Sequence, residues 1–200
     1  MKVKILDDLS VEFERGKKVY KNGKVFYSYC IDSGRIPFSF IILSSRGFDL
    51  ERIKSIVLFI EGLNLTYLTD IVFVVGDENA LKYLSEVYRD RPYKAIVSHS
   101  AGNPVFSSLK CGLKAVSMRS KGAVVIFANR PAPTVATLKK IVDTTLSGGE
   151  IVIPVKNGKR THPIAISKDM FETLKNLRKE KGLPYILKKD LDKVKEVTVE

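Results

Sequence analysis

Residues 2–31 alternate between apolar and polar side chains over short runs, a pattern typical of β-strands with one buried face. The pair Asn22-Gly23 lies between two such runs, Lys17–Tyr20 and Lys24–Cys30. An Asn-Gly pair between two short strands favours a tight hairpin. We therefore expect a small β-meander in this part of the chain.

From residue 38 to residue 146, short apolar runs alternate with segments whose apolar residues recur at helical spacing. The predicted strands are Phe38–Leu43, Ile71–Val75, Ala95–Val97 and Val124–Ala128. The predicted helices are Asp49–Leu63, Glu78–Tyr88, Val105–Arg119 and Val135–Leu146. Strands that are apolar on both faces and alternate with amphipathic helices indicate parallel β-α-β crossovers. The pattern thus predicts an α/β fold with a doubly wound, mainly parallel sheet.

The regular alternation of strands and helices ends after Gly148-Gly149. Two strands, a helix and a final strand are predicted there, at Glu150–Val155, Ile164–Ser167, Lys168–Lys181 and Val194–Val199. A polar turn, GKRTHP, separates the first two strands. We expect an antiparallel element to join the sheet late in the chain.

Composition narrows the class of protein. A chain of 200 residues is long enough for one well-buried core, and we divide it into an appendage at 1–37 and a main domain at 38–200. No apolar run is long enough for a membrane span, and the start MKVKILDDLS lacks the apolar core of a signal peptide, so we expect a cytoplasmic protein without a membrane partner. The two cysteines are far apart and predict reduced thiols rather than a zinc site.

The formal net charge of +12 favours an anionic partner, such as the phosphates of a nucleotide or cofactor. Basic residues are interleaved with acidic ones along the whole chain, which also fits an ordinary solvated surface. No aromatic-basic recognition motif is evident, so binding to nucleic acid is the weakest of the functions considered. The oligomeric state does not follow from the sequence.

The loops that follow the parallel strands are the expected ligand site, because doubly wound sheets bind ligands outside their carboxyl edge. These loops read SSRGFDL, GDENA, SHSAGNPVFSS and NRPAPTV. In the third loop we select Gly102, Ser107 and Ser108 as candidate nucleotide-binding residues. Helix capping explains the two serines equally well.

Four segments in the second half of the chain carry a resemblance to a known family. They read GNPVFSSLKCGL, VVIFANRPAPTV, EIVIPVKNGKRTHPIAIS and FETLKNLRKEKGLPYIL. Their order and intervals resemble the MobA-like nucleotidyltransferases, which attach a nucleotide to the molybdenum cofactor, over roughly residues 70–200. The resemblance implies a Rossmann-like nucleotidyltransferase fold, CTP or GTP as substrate, and a molybdopterin-type acceptor.

The family opens with a strand, a Gly-rich phosphate loop and a lysine, and this chain departs from that pattern. The resemblance places Ser44, Ser45, Arg46 and Gly47 in the loop and Lys54 in the lysine position. A solvated loop and helix surface explains Arg46 and Lys54 as well. Another register uses KILDDLSVEFERGKK with Lys17 or Lys18 as the lysine, but its two aspartates would repel phosphate, so we prefer the first register.

A second departure concerns the metal. The family holds Mg²⁺ with the aspartate of an Asp-x-Pro motif, and Asn129-Arg130-Pro131 stands at that place here. We predict Asn129 as the catalytic metal position, with Mg²⁺ bound weakly or not at all, because an amide oxygen carries no negative charge.

The family also has a Gly-x-x-x-His-Pro turn that borders the pterin side of its cleft. In this chain the turn is Gly158–Pro163, and the resemblance assigns contacts with the acceptor to Lys159, Arg160 and His162. Two functions follow from these assignments. One is transfer of a CMP or GMP group to molybdopterin, with activity impaired by the two departures; the other is a binding protein of the same fold that has lost turnover.

Overall fold

The computed structural model describes residues 3–7, 10–13, 16–21, 24–28, 38–44, 49–62, 68–89, 93–98, 104–177 and 191–199. Its strands form two separate sheets. The first sheet contains β1 (Val3–Asp7), β2 (Ser10–Phe13), β3 (Gly16–Lys21) and β4 (Lys24–Ser28). They pair in chain order as antiparallel neighbours, which confirms the predicted meander.

The second sheet has eight strands. They are β5 (Phe38–Ser44), β6 (Leu68–Val75), β7 (Tyr93–Val97), β8 (Gly122–Phe127), β9 (Ile151–Lys156), β10 (Lys159–Arg160), β11 (Ile164–Ser167) and β12 (Val194–Thr198). The helices are α1 (Leu50–Gly62), α2 (Glu78–Val87), α3 (Pro104–Ala115), α4 (Val135–Leu146) and α5 (Met170–Asn176), with a short 3-10 helix at Leu191–Lys193.

Helices cover both faces of this sheet. On one face α1, α2 and α4 pack against alternate strand residues such as Phe40, Phe73 and Ile126. On the other face α3 and α5 pack against the intervening residues, such as Ile41 and Val125. Burial on both faces explains why the strands are continuously apolar, and it confirms the predicted doubly wound α/β class.

Four neighbouring strands of the sheet are parallel, in the order β7-β6-β5-β8, with β7 at the end of the strand order. The chain therefore moves outward from β5 through β6 to β7 and then returns to the other side of β5. This reversal of direction places a crevice at the carboxyl ends of β5 and β8, where doubly wound sheets bind their ligands.

The antiparallel element that the sequence predicts consists of β9, β10 and β11. Our predicted turn, GKRTHP, was too long, because the hairpin reverses at Asn157 and Gly158. Both residues have positive φ angles, 51° and 72°, which a two-residue turn of the primed type requires and which Asn and Gly adopt at low cost. The last strand, β12, pairs in parallel with β9.

A buried polar cluster lies at the amino ends of the central strands, opposite the crevice. Asp70 of β6 is 5% exposed, and its carboxylate accepts hydrogen bonds from the Ser39 hydroxyl, from Lys94 Nζ at 2.8 Å and from Ser117 N at 3.2 Å. The Ser39 hydroxyl also bonds that of Ser120. These hydrogen bonds connect the segment after α3 to three strands. The cluster therefore stabilises the fold and lies away from the crevice.

Among the helices that the structure describes, none has the length and apolar character needed to cross a membrane. The proposed boundary near residue 37 falls outside the described ranges and stays a prediction.

Candidate functional site

The crevice begins where β5 and β8 end side by side. The Ala128 N–H donates to the Leu43 carbonyl at 2.9 Å, so the chain leaving β8 remains bonded to β5. Ser44, the last residue of β5, is 6% exposed. On the other strand, the main chain turns immediately after β8, where the Arg130 N–H donates to the Phe127 carbonyl at 3.0 Å. This turn presents Asn129 and Arg130 to solvent.

Helix α1 brings a second arginine to this turn. Asp49 caps the helix, with its Oδ1 accepting from the Arg52 N–H at 3.1 Å. The Asp49 Oδ2 also lies 3.1 Å from Arg52 Nε, which holds the guanidinium on the first turn of the helix. Arg52 Nη1 then donates to the Asn129 carbonyl oxygen at 3.1 Å. The first turn of α1 is thus joined to the end of β8 through Arg52.

Lys54, the lysine that the resemblance assigned to phosphate, lies on a different side of α1. Residues two apart on an α-helix point about 200° apart. The Lys54 Nζ bonds Glu51 Oε1 at 2.9 Å, and this hydrogen bond is the main cause that raises the pKa of Lys54, with smaller contributions from Tyr83 and Tyr88. Its hydrogen-bond partner therefore lies on α1 itself and the two tyrosines belong to the α2 region, and its role at the phosphate stays a prediction.

His162 borders the crevice from the antiparallel side. Its ring meets the Phe127 ring edge to face, with 4.5 Å between centroids, and its peptide bond to Pro163 is cis. Burial lowers the pKa of His162, and the positive charge of Arg130 lowers it further. The imidazole is therefore held in its neutral form near neutral pH. Its Nδ1 is buried without a hydrogen-bond partner among the described residues.

Lys159 and Arg160 do not share this position. Both are exposed on β10, and Arg160 Nε forms an ion pair with Glu196 Oε1 of β12 at 2.6 Å. The ion pair directs Arg160 across β9 towards β12, whereas His162 packs against β8. The structure thus joins only His162 to the crevice, and contacts of the other two with an acceptor stay predictions.

The serines predicted for the third loop are buried. Helix α3 begins at Pro104, so Ser107 and Ser108 are its fourth and fifth residues rather than its cap. Ser107 is 6% exposed and its hydroxyl lacks a hydrogen-bond partner among the described residues, while Ser108 is fully buried. Four other predicted residues lie outside the described ranges: Ser45, Arg46, Gly47 and Gly102.

The described side chains do not fit a metal ion held by carboxylates. Asn129 offers an amide oxygen, and the nearby Asp49 carboxylate is already bound to Arg52. Throughout the described ranges, no three His, Cys, Asp or Glu side chains are grouped so that they could hold a metal. The Arg52 guanidinium bonds the Asn129 carbonyl instead, and Arg130 follows in the same turn.

Arg52 and Arg130 are the site residues that sequence reasoning missed. The sequence contained a signal for Arg130, because this residue is the middle one of the Asn-Arg-Pro motif. Arg52 shares the predicted helix with Lys54, and only the rotation of that helix decides which of the two basic side chains reaches β8. Together the two arginines make the crevice suited to an anion, and phosphate groups match guanidinium geometry well.

Comparisons with known proteins agree with this fold. Residues 61–194 match the model of the MobA-like NTP transferase domain. No curated protein matches the sequence.

Several solved structures have the same fold. A manganese complex of Rv0371C from Mycobacterium tuberculosis H37Rv has a TM-score of 0.62 at 18% identity, covering 82% of this chain and 89% of that one. The 4-diphosphocytidyl-2C-methyl-D-erythritol synthase of Anaerococcus prevotii DSM 20548 has a TM-score of 0.59 at 16% identity, covering 84% and 88%. A CMP:2-keto-3-deoxy-manno-octonic acid synthetase complexed with CTP has a TM-score of 0.54 at 10% identity, covering 82% and 90%.

At these identities the solved structures establish the fold alone. The family match covers about two thirds of the chain and includes the end of β8, α4 and the hairpin that carries His162. It supports nucleotidyl transfer from a nucleoside triphosphate as the class of reaction. The chain belongs to the MobA-like NTP transferase domain family.

Proposed function

We propose that this protein transfers a CMP or GMP group from CTP or GTP to a molybdopterin-type acceptor, in the crevice between β5 and β8. One observation carries the proposal: Arg52 donates to the Asn129 carbonyl, and Arg130 is the next residue of the same turn, at the switch point of a sheet of the nucleotidyltransferase family. An anionic substrate is the natural ligand of such a site, and a triphosphate supplies several negative charges at once.

The reaction forms one bond and breaks another. A phosphate oxygen of the acceptor attacks the α-phosphorus of the nucleotide, and the bond from that phosphorus to the oxygen bridging the β-phosphorus breaks. Pyrophosphate leaves with the electron pair, and the acceptor gains the nucleotidyl group through a new P–O–P linkage. No covalent intermediate with the protein is needed, because positioning and neutralisation of phosphate charge provide the acceleration.

The chain's own residues have distinct parts in this proposal. Arg52 and Arg130 bind the phosphate oxygens and hold them in line for attack. Ser44, Ser45, Arg46 and Gly47, together with Lys54, complete the triphosphate site, while Gly102 and Ser107 border the nucleoside. His162 meets the acceptor with a neutral ring, and Lys159 and Arg160 lie further along the same hairpin.

The test is an assay of pyrophosphate release with CTP and with GTP, each with and without molybdopterin. We expect release that requires both the nucleotide and the acceptor, and a strong loss of rate in Arg130→Gln. Lys82→Gln is the matched control, because it also removes one positive charge but from the exposed face of α2. Equal rates for the two variants would exclude the crevice as the active site.

A second function is favoured by Asn129 itself. Without a carboxylate at the family's metal position, the chain could bind nucleotide or cofactor without turnover. Such a protein would bind CTP or GTP with the same dependence on Arg130 and would release no pyrophosphate with any acceptor. Binding and turnover measured on one preparation separate the two functions.

A further inference from the structure

The environment of Asn129 is cationic. A guanidinium has five N–H donors. In Arg52, Nε is bonded to Asp49 and one Nη1 hydrogen to the Asn129 carbonyl, while the remaining hydrogens have no partner among the described residues. The side chain is about half exposed, at 55%. Arg52 is thus held in place by two bonds and still has donors for a ligand.

Arg130 adds a second guanidinium within the same turn. Its charge reaches the imidazole of His162, since it contributes to lowering the pKa of that residue. No carboxylate of the described ranges forms an ion pair with it. Two guanidinium charges and the single Asp49 carboxylate leave one net positive charge beside Asn129, with a neutral imidazole at its edge.

A divalent cation and an anion respond to this environment in opposite ways. A metal ion placed at Asn129 would gain one amide dipole and would be repelled by two fixed positive charges. A polyphosphate would gain paired N–H donors from each guanidinium, in the geometry that arginine provides for phosphate oxygens. The arginines therefore neutralise phosphate at the place where a metal would otherwise do so.

We propose that the Arg52–Arg130 site binds the polyphosphate part of its ligand without a divalent metal. The inference rests on the proposed function for the identity of the ligand, a nucleoside triphosphate. It goes further because it assigns the neutralisation of phosphate charge to two side chains of the protein. Ligand binding at this crevice is then expected not to depend on a divalent metal.

The experiment is calorimetric titration of the full chain with three ligands: CTP, GTP and inorganic tripolyphosphate. Each is titrated with EDTA and again with Mg²⁺. For the parent we expect Kd values in EDTA within about threefold of those in Mg²⁺, a difference of less than about 0.7 kcal/mol. Arg52→Gln and Arg130→Gln should each weaken binding in EDTA by about tenfold or more, as the loss of a charge-assisted contact predicts.

Two controls accompany the titrations. Lys82→Gln should bind like the parent, which separates a local effect from the change in net charge. Arg52→Lys keeps the charge but loses the fork of donors, so it should recover only part of the affinity lost in Arg52→Gln. Circular dichroism and urea unfolding of each variant show whether α1 and the sheet remain folded.

Each outcome decides a claim. Nucleotide binding that appears only with Mg²⁺ overturns the inference and leaves the proposed function standing. Binding of tripolyphosphate in EDTA through both arginines, without binding of CTP or GTP, supports the inference and overturns the proposed function. Failure of all three ligands under both conditions overturns both claims.

Discussion

Asn129 stands where the family resemblance predicts a metal-binding aspartate, and its main chain has a part that does not depend on the side chain. The amide does not attract a metal, but the carbonyl of the same residue anchors Arg52 at 3.1 Å. Because this bond uses the main chain, it does not depend on the side chain at position 129. The side chain can therefore be changed with little effect on the position of Arg52.

We predict that Asn129→Asp makes nucleotide binding dependent on Mg²⁺. A carboxylate is a hard, charged oxygen ligand that attracts magnesium, and the gain in metal-dependent binding could reach about 2 kcal/mol at a partly desolvated site. In EDTA the same change should weaken binding, since the new negative charge opposes the phosphates. Calorimetric titration with CTP and GTP measures both effects.

The unfolding free energy of this variant should stay within about 0.5 kcal/mol of the parent, because Asn129 is exposed. Identical metal dependence in the parent and the variant would show that position 129 does not face the nucleotide.

The second residue-scale prediction concerns His162 and pH. Burial and Arg130 hold the pKa of His162 below its ordinary value in the folded chain. As the pH falls below the ordinary value of about 6.5, the unfolded chain takes up a proton at this residue before the folded chain does. The contribution of His162 to the unfolding free energy is therefore complete above that pH and declines as the pH falls towards the lowered pKa.

NMR titration of the histidine ring signals measures this pKa directly, and His162→Asn assigns the signal because the chain has only two histidines. Addition of tripolyphosphate should raise the pKa, since bound phosphate offsets the charge of Arg130. A pKa at or above the ordinary value in the free protein would contradict the packing described for the ring.

The sequence predicted some residues of the candidate site and missed others. It selected Asn129 and His162 through the family resemblance, and the structure places both at the carboxyl edge of the sheet. It assigned Lys54 through the resemblance and did not identify Arg52, because spacing within a helical segment does not show which side of the helix faces the sheet. That choice requires the rotation of α1, which is set by the packing of Ile53, Ile56 and Ile60 into the core.

At the scale of elements, a substitution in α3 tests how closely this helix packs on the sheet. A Cβ added at Gly112 would lie 2.5 Å from Ile41 Cγ2 and 3.3 Å from Val74 Cγ2. Gly112→Ala should therefore destabilise the protein by about 1–3 kcal/mol, although alanine favours helices by about 1 kcal/mol over glycine. The free energy of unfolding in urea measures the net effect.

Lys114→Ala on the exposed side of α3 is the control for this variant and should change stability by less than about 0.5 kcal/mol. An increase in stability in Gly112→Ala would mean that α3 stands further from the sheet than described.

The sequence predicted most elements, and the errors have physical causes. Helix α4 was predicted with its observed ends, because Thr134 caps it and apolar residues keep a regular spacing. Helix α3 was predicted to extend to Arg119 but ends at Ala115, where Ser117 and Ser120 bond the buried Asp70 cluster instead. A buried carboxylate from a distant strand leaves no local signal in the sequence.

On the scale of the whole molecule, the buried Asp70 cluster and the proposed ligand site lie at opposite edges of the sheet. Asp70→Asn should lower the free energy of unfolding by about 2 kcal/mol, because it replaces one of the two acceptor oxygens that bind Ser39, Lys94 and Ser117 by an NH2 donor and removes the charge that pairs with Lys94. Nucleotide affinity of the folded variant should be unchanged. Urea unfolding and calorimetry on the same sample test the separation, and a loss of affinity in the folded variant would refute it.

The topology was the most predictable feature of the whole molecule. The four central strands were expected to be parallel neighbours from their apolar character and their alternation with helices, and they are. Their order and the switch point between β5 and β8 follow from long-range pairing, which periodicity along the chain does not encode. The position of the crevice could therefore be assigned to one edge of the sheet but not to one pair of strands.

The central claim is that this crevice holds the triphosphate, and a crystal structure of the protein grown with CTP or GTP tests it most directly. We expect electron density for the phosphates between the ends of β5 and β8, within hydrogen-bond distance of the Arg52 and Arg130 guanidinium groups. Density for a bound nucleotide at any other place, with these two side chains free of phosphate, would contradict the account.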